Sequence, residues 1–194
     1  MPRSEGGGLR AIDVPDAINL LLTGKPGSGK TTVIRSVLAS RGDAGGFFTG
    51  EVRETGVRTG FSITTLDGRR GVLARKDLRS PVKVGPYGVN IEDVEGVAAS
   101  ALEDALENGS VRLLVVDEIA AMEIASERFR RAVIRALDDP RPVLGTIQIR
   151  SNQFLDLVRD RADVGVLHVT SANRDAMPGV VEEWLRKAVS AEPE

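Results

Sequence analysis

The chain predicts a three-layer α/β domain, in which a mainly parallel sheet is covered by helices on both faces and carries a small antiparallel β insertion. Three observations lead there. Short, largely apolar runs such as residues 17–22, 111–116 and 164–169 have the length and hydrophobic character of strands buried on both sides. Between them lie segments whose apolar residues recur at three-and-four spacing, the period of a helix packed along one stripe. Strand and helix then alternate, and right-handed crossovers make the strands they join parallel. At 194 residues, 41% of them hydrophobic and 28% charged, the chain is long enough for one such domain and too apolar to remain disordered.

The elements follow in order. Residues 1–16 contain Gly6, Gly7, Gly8 and Pro15 but no apolar run of signal-peptide length, and read as a mobile tail before a domain at 17–190. The first strand, at 17–22, is closed by Thr23 and Gly24. A helix at 30–39 follows, with Val33, Ile34, Val37 and Leu38 on one stripe. Over residues 46–74 the period shortens to β runs at 47–53 and 58–66, separated by the turn pairs Thr55-Gly56 and Asp67-Gly68, which is the antiparallel insertion. A loop containing Pro81 and Pro86 leads to Asn90, an N-cap with Asp93 as its capping-box partner. The helix behind it carries Val94, Val97, Ala98, Ala101, Leu102, Ala105 and Leu106 until Gly109 stops it. A buried strand at 111–116 ends in Asp117. It is followed by helix 126–137, strand 143–149, helix 153–161, strand 164–169 and helix 178–189. In sheets of this kind ligands lie at the carboxyl ends of the strands.

Composition removes several function classes. There are 26 Lys and Arg against 28 Asp and Glu, a formal charge of −2, which gives no footprint for coating a nucleic acid. The chain has no cysteine and a single histidine, His168, so disulfide scaffolds, thiol catalysis, cysteine-ligated zinc and His-rich metal clusters are excluded. His168 sits between Leu167 and Val169 and reads as a satisfied core residue. No segment has the length to span a bilayer, and the expectation is a cytoplasmic monomer that binds neither membrane nor nucleic acid.

Chemistry enters directly after the first strand. Residues 24–32 read Gly24, Lys25, Pro26, Gly27, Ser28, Gly29, Lys30, Thr31 and Thr32, matching the phosphate-loop pattern G-x-x-x-x-G-K-[ST] at every fixed position. Its glycines let the backbone turn tightly and aim successive N–H groups inward, a nest for phosphate oxygens at the positive end of a helix. Lys30 would reach the β- and γ-phosphates and the Thr31 hydroxyl would hold Mg²⁺. A dinucleotide fingerprint fails here, because its third glycine would fall on Thr32. The second motif is Leu113, Leu114, Val115, Val116, Asp117 and Glu118, an apolar strand delivering two acids at its carboxyl end. Side chains alternate along a strand, which gives the acids different work. Asp117 fits the Mg²⁺ site through a coordinated water, and Glu118 fits the base that orients or deprotonates the attacking water.

With these motifs the chain resembles the THEP family of nucleoside-triphosphatases. The resemblance is carried by residues 24–32, by Gly46-Phe47-Phe48-Thr49-Gly50-Glu51-Val52-Arg53-Glu54 with Arg58-Thr59-Gly60-Phe61, and by Val84-Gly85-Pro86-Tyr87. It continues through Asp117-Glu118-Ile119 with Met122-Glu123 and through Val169-Thr170-Ser171-Ala172-Asn173-Arg174, so that it spans roughly residues 17–185. It implies a P-loop NTPase that hydrolyses ATP, GTP, CTP and UTP to diphosphate and phosphate with Mg²⁺ and little base selectivity. It also places nucleotide contacts on the phosphate loop and on the strand from Leu113 through Ile119 to Ala120. The chain departs from the family pattern at Ala120, where glycine is usual, and at Phe48, where tyrosine is usual.

Other candidates rank lower. Arg53 and Arg58 flank the first turn of the insertion, where either could neutralise transition-state charge or simply pair with Glu51 or Glu54 across the strands. Asn173 and Arg174 follow the last strand, where a base could be held. The guanine-reading Asn-Lys-x-Asp run is absent, because Arg174 stands in place of the lysine and Asp175 follows at once. Trp184 has helix-core spacing. Arg128, Arg130 and Arg131 read as a solvated helix face, and Arg150 as a possible phosphate sensor at a strand end. A nucleotide or nucleoside kinase on the same sheet, or a slow NTP-dependent switch acting on a protein or RNA partner, are the competing functions.

Overall fold

The computed structural model describes residues 12–190. Nine strands form one sheet in the order β5-β6-β4-β3-β2-β7-β8-β1-β9. They are β1 (Asn19–Thr23), β2 (Ala44–Glu54), β3 (Val57–Thr65), β4 (Arg70–Arg75), β5 (Lys83–Val84), β6 (Tyr87–Val89), β7 (Leu113–Ile119), β8 (Val143–Ile147) and β9 (Val164–His168). The helices are α1 (Lys30–Leu38), α2 (Ile91–Asp93), α3 (Ser100–Glu107), α4 (Glu127–Leu137), α5 (Gln153–Arg159) and α6 (Met177–Ser190). A π-helical stretch, Val94–Ala99, joins α2 to α3 in one continuous rod.

Strand alternation builds the layers. Leu114 and Val116 of β7 and Leu21 of β1 face a core shared with Leu102 of α3, Phe129 and Val133 of α4 and Val158 of α5. Leu113 and Val115, with Leu20 and Leu22, face the opposite core with Val33, Ile34 and Val37 of α1 and Val181, Trp184 and Leu185 of α6. Both sets are fully buried in the sheet, which is why these strands read as unbroken apolar runs. Trp184 also donates its indole N–H to Ala17 O at 2.7 Å, tying the last helix to the entry of the first strand.

The antiparallel part is larger than the predicted 46–74 insertion, and it is not a separate unit. β2 belongs to both halves of the sheet. Its first residues, Ala44 to Phe48, pair in parallel with β7. From Phe47 to Glu54 it pairs antiparallel with β3. Beyond β3 the sheet continues through β4 to the hairpin of β5 and β6, which lies where the sequence suggested a proline loop. Pro81 and Pro86 stand just outside those two short strands, where no ladder N–H is needed.

Several boundaries also move. Residues 1–11 of the expected tail lie outside the described residues. Ile12 and Val14 pack on the α1/α6 core and Pro15 lies against Gly165, so the domain begins before residue 17. The capping box is half formed. Asn90 accepts from Asp93 N at 3.3 Å. The Asp93 carboxylate, however, crosses to Val72 N on β4 at 2.6 Å instead of returning to Asn90. The long helix ends at Glu107, before Gly109. Arg141 stops it, its guanidinium donating to the carbonyls of Ala105, Leu106, Asn108 and Val111 at 2.9 to 3.3 Å. His168 is exposed, not buried, because β9 is the edge strand and His168 is its last residue.

Candidate active site

The site is assembled where β1 and β7 end. After Thr23 the chain turns through Gly24 (φ +147°) and Gly29 (φ +104°), conformations that L side chains rarely adopt. At Gly24 a Cβ would stand 2.4 Å from Val169 O, so the loop also needs glycine for close approach to the end of β9. Gly29 is the N-cap of α1 and supplies no side-chain cap, leaving the first-turn N–H groups open to an anion. The Ser28 hydroxyl, buried in the same loop, has no hydrogen-bond partner. Lys30 Nζ donates to Gly24 O at 3.2 Å and lies 3.9 Å from Glu118 Oε1, which poises it over the loop.

Alternation along β7 sends residues 113, 115 and 117 to the α1 side, which brings Asp117 under Thr31. The Asp117–Glu118 peptide bond is cis, and the β7/β8 register shifts between Val116 and Ile119. Both carboxylates line one cavity of about 560 Å³, together with Pro26, Gly27, Lys30, Thr31, Arg35, Ala120, Glu123 and Gln148. Asp117 is 1% exposed and its Oδ1 accepts from Thr146 Oγ1 at 2.6 Å. Its Oδ2 is buried without a partner. Burial raises the Asp117 pKa, while the hydroxyls of Thr146 and Thr31 and the charges of Lys30 and Arg35 act against it. Glu118 is raised by burial as well, opposed by Lys30 and reinforced by Asp117.

This donor set fits a hard divalent cation. An orphaned carboxylate oxygen and a threonine hydroxyl face a cavity with room for a phosphate chain. Among the described residues no cluster of three His, Cys, Asp or Glu side chains could hold a metal alone, so the remaining ligands would be water and substrate oxygens.

Not every predicted residue reaches the cavity. Leu113, Leu114, Val115, Val116 and Ile119, expected among the nucleotide contacts, are fully buried and stand outside the cavity lining; they anchor the strand that presents Asp117. Lys25 and Thr32 are exposed and stand outside the lining. Asn173 is spent on its own loop, accepting from Thr170 N and donating to His168 O, both at 2.8 Å. Arg174 stays beside the phosphate loop, its stem 3.5 Å from where a Gly29 Cβ would be. Arg150 is exposed and off the cavity. Arg53 and Arg58 both clasp Glu51 at 2.6 Å, and Arg58 also donates to Tyr87 Oη at 3.1 Å. These bonds, that of Arg58 first, hold Glu51 below its usual range. The predicted solvated face of α4 is only partly so, because Arg128 pairs with Glu103 and Arg130 donates to Ile124 O.

Sequence reasoning missed Thr146, Gln148 and Arg35, and gave Glu123 no role. Glu123 is 2% exposed, its Oε2 has no partner, and burial with the nearby charge of Glu118 pushes its pKa up to about 8. Helical spacing could have found Arg35, one turn beyond Thr31; no sequence signal marks a buried acid such as Glu123.

Known proteins share this architecture. A family model described as NTPase matches residues 19–181. The chain is 42% identical over 160 residues to nucleoside-triphosphatase THEP1 of Thermotoga petrophila, covering 82% of this chain and 88% of the relative. It is 40% identical over 181 residues to the human cancer-related nucleoside-triphosphatase, covering 85% of this chain and 95% of that one. The crystal structure of THEP1 from Aquifex aeolicus superposes with a TM-score of 0.77 at 32% identity, covering 86% of this chain and 98% of that chain. With the phosphate loop and β7 acids disposed as described, the chain belongs to the NTPase family that includes the THEP1 nucleoside-triphosphatases.

Proposed function

We propose that the protein hydrolyses nucleoside triphosphates to diphosphate and phosphate with Mg²⁺, accepting ATP, GTP, CTP and UTP. One observation supports this above the others: Lys30, Thr31, the unpaired oxygen of Asp117 and the Glu118 carboxylate share one cavity wall at an uncapped helix N-terminus. The loop amides and Lys30 hold the phosphate tail and oppose the charge that builds on the β–γ bridge. Thr31 and Asp117 would hold Mg²⁺, whose chemistry is to neutralise phosphate charge. Glu118, its proton affinity raised by burial, takes the proton of the attacking water. The base is left unread, since Asn173 is bound up in its own loop.

The test is phosphate release from each of the four triphosphates, with Mg²⁺ or EDTA, on wild type and Lys30→Ala. Release from all four, stopped by EDTA and reduced at least about 100-fold in Lys30→Ala, is expected. Activity with one base only would overturn the broad specificity, and activity in EDTA would overturn the metal.

A further inference from the structure

A terminal phosphate in this cavity would meet two carboxylates, Asp117 and Glu118, and a single ammonium, Lys30. Besides the Mg²⁺ that Thr31 and Asp117 would hold, a phosphoryl group spreading charge over its oxygens calls for a second side-chain cation. Arg58 lines the cavity, but Glu51 and the Tyr87 hydroxyl already hold its guanidinium; Arg53 is held by the same carboxylate and is not part of the lining. Arg35 lines the cavity, and among the described residues it has no ion pair.

Four features fix where its charge lies. Arg35 is four residues beyond Thr31 on α1, hence on the same helix face. Side chains on a helix lean toward its N-terminus, which here is the phosphate loop. The guanidinium carbon sits 4.7 Å from the centre of the Phe48 ring, a cation–π seat that holds the arm in place. Phe48 is in register with Asp117 across the β2/β7 pair.

We propose that Arg35 is a catalytic residue whose guanidinium, seated on Phe48, contacts the terminal phosphate and stabilises the charge spread over its oxygens during transfer. The proposal rests on the hydrolysis reading above. In that step the water oxygen bonds to the γ-phosphorus and its proton goes to Glu118. The bond to the bridging oxygen breaks, and its electron pair leaves with the diphosphate. A planar fork of N–H donors suits a phosphoryl group whose charge is shared among several oxygens.

The test uses the full chain with Mg²⁺ and ATP. Arg35→Ala should lower kcat about 100-fold and leave KM within about threefold. Its affinity for ADP with aluminium fluoride, which mimics the transition state, should fall further than its affinity for a non-hydrolysable ATP analogue. Phe48→Leu, which keeps an apolar side chain and removes the ring, should slow wild type about fivefold and have no further effect in the Arg35→Ala background. Turnover of Arg35→Ala within about twofold of wild type, or equal losses for the two analogues, would overturn the assignment. So would a Phe48→Leu effect that persists without Arg35. A wild type that binds nucleotide yet releases no phosphate would sink the hydrolysis reading alone, because the analogue comparison still decides Arg35.

Discussion

The two halves of the sheet solve different problems with one set of hydrogen bonds. In the parallel half, β1, β7 and β8 are buried on both faces, and near the end of β7 Asp117 keeps an oxygen without a partner. In the antiparallel half, β3 to β6 with the outer end of β2, the strands carry exposed arginines, and the Glu51 carboxylate binds Arg53 and Arg58 together. The same side-chain types thus do opposite work. Where helices exclude water, Asp117 and Glu123 keep unpaired oxygens. Where water reaches, arginine and glutamate pair. Chemistry belongs to the first half, and the second forms the outer wall of its cavity.

That contrast can be broken by measurement. The largest effect is expected at Glu118, the base proposed for the parallel half. Glu118→Gln should lower kcat about 1,000-fold with nucleotide affinity nearly unchanged, read by phosphate release and by calorimetry. Equal turnover would remove the base from the mechanism. Stability should divide the same way. Leu114→Ala, at a site with no exposed surface, is expected to lower unfolding free energy by about 2–5 kcal/mol in urea. Val72→Ala in β4, at a site 36% exposed, should cost less than about 1 kcal/mol.

A pH measurement sharpens the comparison further. Folding carries Glu123 from its ordinary 4.5 up to about 8, so the folded protein keeps a proton that the unfolded chain releases. Relative to Glu123→Gln, wild type should therefore lose stability as pH rises from about 4.5 to about 8 and then level off, as melting curves at fixed salt would show. A constant offset would mean that Glu123 is ionised when buried. The smallest effect belongs to the antiparallel half. Arg53→Ala removes one of two partners of an exposed carboxylate and should leave turnover within about twofold of wild type.

What the sequence revealed depended on how local the physics is. The phosphate loop is nine consecutive residues whose identities and spacing match one pattern, so Gly24 to Thr32 were readable in one pass. The parallel strands were readable because burial on both faces leaves an unbroken apolar run. Length and partner were harder to read. β2 gives no sign that its first five residues pair with β7 while the rest pair with β3, since pairing is a property of two segments. His168 looked buried among apolar neighbours, but its place on the edge strand depends on the strand order. The seat of Arg35 on Phe48 joins α1 to β2, and neither segment alone signals it.

The clamp of Arg141 on the carbonyls around the end of α3 lies at the amino ends of the parallel strands, the pole away from Asp117 and Glu118. One side chain there fastens helix α3, the turn into β7 and the approach to β8, and its own charge is matched by Asp139 at 2.7 Å. The molecule is polarised in its tolerance to change: one pole keeps carboxylate oxygens open for a visitor, and at the other Arg141 closes the carbonyls around the end of α3. Reinforcement introduced around Arg141 could then raise thermal endurance without blunting the chemistry at the far rim, a separation that proteins with their working groups scattered through the core do not allow.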